Sequence, residues 1–133
     1  MNTTAPTTIA HVLHRVARPL SPETQIREAA QRLVDGGLAA LPVLDDAGRL
    51  VGILTQKDCF VPAVSASYYR TWKGAVADHM AREVQTLEAG TEIVEAARVF
   101  AESPHRVLVV MHEGAVAGML DRSDVLAAVL AMS

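Results

Sequence analysis

Two short stretches carry the side chains best suited to chemistry. Thr55-Gln56-Lys57-Asp58 follows the apolar run Leu50-Val51-Gly52-Ile53-Leu54, and Asp121-Arg122-Ser123-Asp124 follows Val116-Ala117-Gly118-Met119-Leu120. In both, an apolar strand broken by glycine meets a small polar residue, with an aspartate three places on. That order is expected where a strand turns into a helix. The simpler reading of Thr55 and Asp58 is a capping box: the hydroxyl accepts from the Asp58 amide and the carboxylate reaches back.

The same residues suit a ligand. Free amides at a helix start favour an anion, and Thr55 can donate its hydroxyl to a phosphate oxygen. One turn on, Asp58 can accept from the vicinal hydroxyls of a ribose, as acidic residues do in dinucleotide folds. Gly52 would keep a side chain out of the approach. A phosphate donor and a ribose acceptor at this spacing point to a nucleotide.

In the second stretch Asp121 stands in place of Thr55. Two unit charges about 4 Å apart interact by roughly 4 kcal/mol at an effective dielectric of 20, and a carboxylate beside a phosphate makes that repulsive. The lost hydroxyl bond removes roughly another 1.5 to 3 kcal/mol. The Asp121/Asp124 site is therefore expected to be the weaker one, empty or taking a ligand with no phosphate there. Asp121 then serves as a helix N-cap, with Arg122 or Arg106 as partly neutralising cations.

The elements that position these residues come from a duplication. Gly52 and Gly118, Gly48 and Gly114, and Asp58 and Asp124 share one offset. Ile26-Arg27-Glu28-Ala29-Ala30 matches Ile93-Val94-Glu95-Ala96-Ala97 at an offset one residue longer, which places a one-residue loss between helix and strand in the second copy. Each copy reads as a short apolar segment, an amphipathic helix, a strand, a tight turn, a returning strand and a last helix. In the first helix Ile26, Ala29, Ala30 and Leu33 share a face, with Thr24 as its cap and Gly36-Gly37 as its stop. The strands are LAALPVLD and RVLVVMH, returning as LVGIL and VAGML. Pro62 is expected to break the first copy's last helix near Val61.

The boundaries that follow are a tail over 1–8, a first repeat over 9–61, a linker over 62–74 and a second repeat over 75–133. The expected class is α/β (α+β): two pseudo-symmetric repeats, each a small sheet with flanking helices, packed face to face. With 133 residues, half of them hydrophobic, the chain can bury a core, and a net charge of −3 with interspersed signs argues against nucleic acid. No long apolar run suggests a membrane span, and the lone Cys59 fits a reducing cytoplasm.

The run GGLAALPVLDDAGRLVGILTQKD, from Gly36 to Asp58, followed by a diverged copy introduced by VADHMAREVQTL, resembles a tandem pair of cystathionine beta-synthase (CBS) domains, or Bateman module, over roughly residues 9–133. The resemblance implies a cleft between the repeats that takes AMP, ADP, ATP or S-adenosylmethionine. It implies that Ala40, Leu41 and Pro42 line the adenine pocket beside Gly52, that Thr55 contacts phosphate and that Asp58 holds the ribose. It also implies that two chains pair into a disc-like homodimer. The second copy departs from the pattern at Asp121 and, in the sequence alignment, at Leu108, which stands opposite Pro42.

Other residues have plainer roles beside chemical ones. His11 and His14 share helical spacing, but the repeat places no third metal ligand near them, and His79, His105 and His112 are read as surface or interface residues. His105-Arg106 borders the cleft, where Arg106 can meet a phosphate. Tyr68, Tyr69 and Trp72 anchor the linker or a dimer interface, or else stack on adenine. Cys59 is a small core residue with no partner base.

Three functions can be set against these residues. The first is a regulatory module that binds an adenosine-containing nucleotide and transmits this to an unknown effector protein, the chain carrying no effector domain of its own. The alternative is a structural dimer with a vestigial cleft. The third is an enzyme, for which the sequence offers no nucleophile with its base and no metal cluster; no catalytic residue or cofactor is expected.

Overall fold

The computed structural model describes residues 7–132, so most of the tail expected over 1–8 lies outside the described residues. The fold is mixed α/β, with two small sheets and four α-helices. It divides into two units, Ala17–Val84 and the residues 7–16 with 85–132.

The unit Ala17–Val84 holds α1 (Ile26–Gly36), β1 (Ala40–Leu44), β2 (Leu50–Thr55) and α2 (Phe60–Tyr69). The apolar face read from the sequence is the buried one, with Ile26, Ala29 and Leu33 turned inward. α1 ends where Gly37 takes the left-handed conformation (φ 63°), while the Leu38 and Gly37 amides donate to the Leu33 and Val34 carbonyls. Its start differs from expectation. Gln25 precedes α1 without a side-chain cap, and the Thr24 hydroxyl instead accepts from the Ser21 amide at 3.1 Å, closing the Ser21–Thr24 turn.

β1 and β2 pair antiparallel, with Ala40 opposite Thr55, Leu41 opposite Leu54 and Pro42 opposite Ile53. Pro42 is tolerated because its partner Ile53 points its amide away from β1, to the Ala81 carbonyl at 2.9 Å. Pro42 faces outward in the same way, where no donor is needed. On that side Leu20 bridges β1, donating to the Pro42 carbonyl and accepting from Leu44. Pro19 and Pro22 bracket Leu20 and supply no amides to lengthen that pairing.

At the hairpin, Asp45 accepts from the Ala47 and Arg49 amides, and its other oxygen meets Arg49 Nε at 3.0 Å. The Arg49 amide above all holds the Asp45 carboxyl below its ordinary range. Gly48 takes φ 81° in this turn.

The other unit holds β3 (Thr86–Glu88), α3 (Ile93–Glu102), β4 (Val107–His112), β5 (Ala115–Asp121) and α4 (Arg122–Ala131). β3 runs parallel to β4, and β4 pairs antiparallel with β5. The short β3 was not anticipated. It occupies the place that Leu20 holds in the first unit. The β4–β5 connection is two residues, Glu113 and Gly114, both with positive φ, as a tight hairpin with strand twist requires. Ile9, Ile93, Ala96, Val110, Leu120 and Val125 form the core.

The strand registers correct the sequence alignment. Val43 faces Gly52 and Val110 faces Gly118, so Val109 rather than Leu108 is the counterpart of Pro42, and Leu108 corresponds to Leu41. The second copy's missing residue therefore lies in its shorter hairpin turn, not between helix and strand.

Each unit also contains the leading segment of the opposite repeat. The 3₁₀ turn Val76–Asp78 packs in the unit of α1, where the Val76 amide donates to the Thr24 carbonyl at 2.8 Å. The turn Ile9–His11 packs with α3, where the Ile9 amide donates to the Thr91 carbonyl at 2.9 Å.

Pro62 does not break α2. A 3₁₀ turn, Lys57–Cys59, precedes the helix, and Pro62 falls in its first turn, where amides lack intrahelical acceptors in any case. Helix therefore continues through the segment expected as a linker, as far as Tyr69. Among the described residues no helix is long and apolar enough to cross a membrane.

Candidate functional site

β2 delivers Thr55 to the end of the sheet, opposite Ala40, and the chain then turns sharply. The turn is pinned to the segment before β1. The Gln56 amide donates to the Ala39 carbonyl at 3.0 Å, and Gln56 Nε2 donates to the Leu38 carbonyl at 2.7 Å. Within the turn the Thr55 amide donates to Asp58 Oδ2 at 2.9 Å and the Asp58 amide donates to Thr55 Oγ1 at 3.2 Å. The capping box read from the sequence is formed.

Both side chains are half-buried and keep chemistry in reserve. As an acceptor in the cap, the Thr55 hydroxyl retains its proton for an outside oxygen. The cap engages Asp58 Oδ2, and among the described residues Oδ1 has no hydrogen-bond partner. The residue arrangement thus offers one hydroxyl donor and one carboxylate acceptor side by side. The turn that carries them is 3₁₀ and only three residues long, so the expected α-helix dipole is not aimed at Thr55. Attraction for an anion there rests on the Thr55 hydroxyl, because the amides of Thr55, Gln56, Asp58 and Cys59 are engaged within the chain.

Ala40, Leu41 and Pro42 are buried in β1 beside this turn. Gly52 has a different duty from the one expected of it. A Cβ at Gly52 would lie 2.5 Å from Met80 Sδ and 2.8 Å from the Ala81 carbonyl oxygen, so glycine admits the chain at Met80-Ala81 rather than a ligand. Gly118 admits the His14 carbonyl in the same manner.

The corresponding turn in the other unit is built differently. Asp121 caps α4, with Oδ1 accepting from the Ser123 amide at 2.8 Å. Its Oδ2 receives Arg106 Nε at 3.4 Å, and the Arg122 amide donates to the Arg106 carbonyl. Arg106 therefore neutralises Asp121, as one of the two cations the sequence offered for that role.

Asp124 does not reach back to cap. Its Oδ2 accepts from His14 Nε2 at 2.7 Å. The backbone of His14 is locked by two bonds of 2.8 Å with Met119, the place Ala81 takes against Ile53 in the first unit. Sequence reasoning missed this pair because it assigned His14 to the first repeat. Aligning the leading segments sets His14 opposite Ala81, but nothing in the residues says that each segment packs in the unit of the other copy.

Beside the first turn, a cavity of about 170 Å³ is lined by Ala30, Leu33, Val34, Gln56, Cys59, Phe60, Ala63 and Trp72. Cys59 donates its thiol to the Thr55 carbonyl at 3.6 Å, and burial, aided by the Asp58 charge, pushes that thiol above its ordinary value. Tyr68 and Tyr69 are exposed, whereas Trp72 is half-buried at the cavity.

Comparison with known proteins follows the same lines. The chain matches the CBS domain family over residues 7–61 and again over 76–131, and it belongs to that family as a tandem pair. It is 26% identical to CBSX2 in a crystal structure in complex with AMP, with a TM-score of 0.80 over 96% of this chain and 98% of that one. A CBS-domain protein of Agrobacterium tumefaciens, ATU1752, shares the fold with a TM-score of 0.79 at 23% identity, over 96% of this chain and 97% of that one. An uncharacterized 17.7 kDa protein of Acidianus ambivalens is 28% identical over 84% of this chain and 66% of its own length. MJ1404 of Methanocaldococcus jannaschii, also uncharacterized, is 28% identical over 88% of this chain. The chain spans 66% and 26% of the lengths of these two relatives.

Proposed function

We propose that the protein is a regulatory module that binds an adenosine-containing nucleotide at the Thr55/Asp58 turn, with no catalytic role. The observation that carries this reading is the free chemistry of that turn: a hydroxyl proton and a carboxylate oxygen side by side at the end of β2. Thr55 donates to phosphate, Asp58 accepts from the ribose hydroxyls, and Ala40, Leu41 and Pro42 form the apolar wall for adenine. AMP in the complex of the similar CBSX2 supports an adenylate as the ligand. The ligand acts on an effector protein by binding one arrangement of the module more tightly than another. The buried, unpaired Cys59 suits the cytoplasm.

Isothermal titration with AMP, ADP, ATP and S-adenosylmethionine tests this reading. At least one ligand should bind, and Asp58→Asn should weaken it tenfold or more. Silence with all four, or affinity indifferent to Asp58→Asn, defeats the nucleotide reading.

A structural dimer is the second reading, and a specific feature favours it. α2 buries Pro62 and Ala66 but exposes Phe60, Val61, Val64, Tyr68 and Tyr69. A helix apolar all round belongs in an interface. Pairing of two chains through α2 is by itself compatible with ligand binding; the structural reading differs in that its cleft is vestigial and binds no nucleotide.

A further inference from the structure

The turn at Asp121 and Asp124 differs from its counterpart in more than one substitution. Both of its carboxylates are already engaged by the chain: Asp121 by the Ser123 amide and Arg106, and Asp124 by His14. The His14 ring lies on Asp124 Oδ2 at 2.7 Å, a donor on an acceptor, which is the interaction a ribose hydroxyl would make. In the other unit the equivalent position is Ala81, whose methyl group makes no hydrogen bond. Among the described residues Asp58 and Asp124 each keep Oδ1 free of one, but only Asp124 has a side-chain ring lying against its other oxygen, where Asp58 has the backbone amide of its own cap.

We infer that His14 is an internal occupant of Asp124, a specificity-determining residue that stands in for a sugar diol and biases nucleoside binding towards the Thr55/Asp58 turn. This rests on the nucleotide reading given above. It goes beyond that reading by assigning His14, distant in sequence, the task of making two duplicated turns unequal.

The inference also fixes which ligand would enter once His14 is removed. Asp121 remains where a phosphate would sit and, even with Arg106 beside it, has no hydroxyl to donate to one, so the opened turn takes an uncharged nucleoside in preference to a nucleotide. The imidazole is largely exposed, with 69% of its side chain accessible and 38% of that of Asp124. An exposed pair of this kind holds its place only weakly. Its removal should therefore strengthen binding severalfold rather than create affinity from nothing.

The experiment uses adenosine as the probe in the Asp58→Asn background, where the first turn is disabled. Adding His14→Ala should tighten adenosine binding about fivefold, and adding Asp124→Asn on top should abolish the gain. AMP should gain less than adenosine from His14→Ala. Thermal unfolding of each variant checks that the fold is intact, as the His14 backbone bonds to Met119 do not involve the ring. Adenosine affinity unchanged within twofold by His14→Ala, or a gain that persists with Asp124→Asn, overturns the inference. Failure of the nucleotide reading itself shows separately, as wild-type binding that ignores Asp58→Asn.

Discussion

Thr55 and Asp58 satisfy one another's amides, at 2.9 Å from Thr55 N to Asp58 Oδ2 and 3.2 Å from Asp58 N to Thr55 Oγ1. A stability role and the proposed ligand role thus reside in the same two side chains, and a substitution must separate them. Thr55→Asp does so. Aspartate caps as well as threonine but repels the neighbouring Asp58 carboxylate, so unfolding free energy should fall by no more than about 1 to 2 kcal/mol in urea titration. AMP, meeting a carboxylate where it met a hydroxyl, should bind at least tenfold more weakly, and adenosine should change little. Equal losses for AMP and adenosine would remove the phosphate contact from Thr55.

Gly118 and Gly52 are held by close approach of another backbone stretch, and Gly90 faces open space. Gly118→Ala pushes a methyl group into the His14 carbonyl, with no flexible side chain able to yield, and should cost about 1 to 3 kcal/mol or more. Gly52→Ala meets the Ala81 carbonyl as well as the Met80 thioether and should also destabilise. Gly90→Ala should lie within about 0.5 kcal/mol of wild type. Thermal unfolding of the three proteins ranks them, and a neutral Gly118→Ala would contradict the packing described.

These glycines show where the sequence spoke and where it did not. Periodicity revealed α1 and the four hairpin strands because Ile26, Ala29 and Leu33, and the runs around Gly52 and Gly118, obey local rules of burial. The capping box was equally legible, being contained within four residues. The contact of His14 with Asp124 was not, because the exchange of leading segments between the units is long-range and leaves no local pattern. The purpose of Gly52 was missed for the same reason: its neighbours, Met80 and Ala81, come from the segment that leads the other repeat. Thr24 was mistaken for a cap because its hydroxyl serves the Ser21 turn just upstream.

Cys59 should be a slow nucleophile. Burial, with the adjacent Asp58 charge, disfavours its thiolate and raises its pKa. Alkylation by iodoacetamide at pH 8 should run well below the rate of an unhindered thiol, and return to it in denaturant. A stability effect follows with a definite sign. The unfolded chain releases the thiol proton near pH 8.5 while the folded chain still holds it, so stability falls as pH rises from that value towards the raised one. The fall should be shallower in Cys59→Ala when urea midpoints at pH 7.5 and 9.5 are compared. A wild-type fall no steeper than that of the alanine variant would dismiss the buried thiol as its cause.

The last prediction concerns α2, whose composition its own unit does not explain. Phe60 is 65% exposed, Val61 76% and Tyr68 79%, on a helix that buries only Pro62 and Ala66. Burying side chains of this size contributes about 1.5 to 3 kcal/mol each, and a two-fold pairing buries three from each chain, roughly 9 to 18 kcal/mol before the cost of association, which leaves room for the roughly 8 kcal/mol of a micromolar dimer. The apolar cavity bordered by Phe60, Val34 and Trp72 adds a recess that a side chain of a second copy can fill. Light scattering on the wild type should therefore give twice the chain mass. Val61→Asp with Val64→Asp, both side chains exposed and so harmless to the unit's own packing, should give a folded monomer. A monomeric wild type, or a dimer indifferent to both aspartates, would leave α2 without the role its surface implies; a monomeric variant that still binds AMP would show that the Thr55/Asp58 turn works without the paired chain.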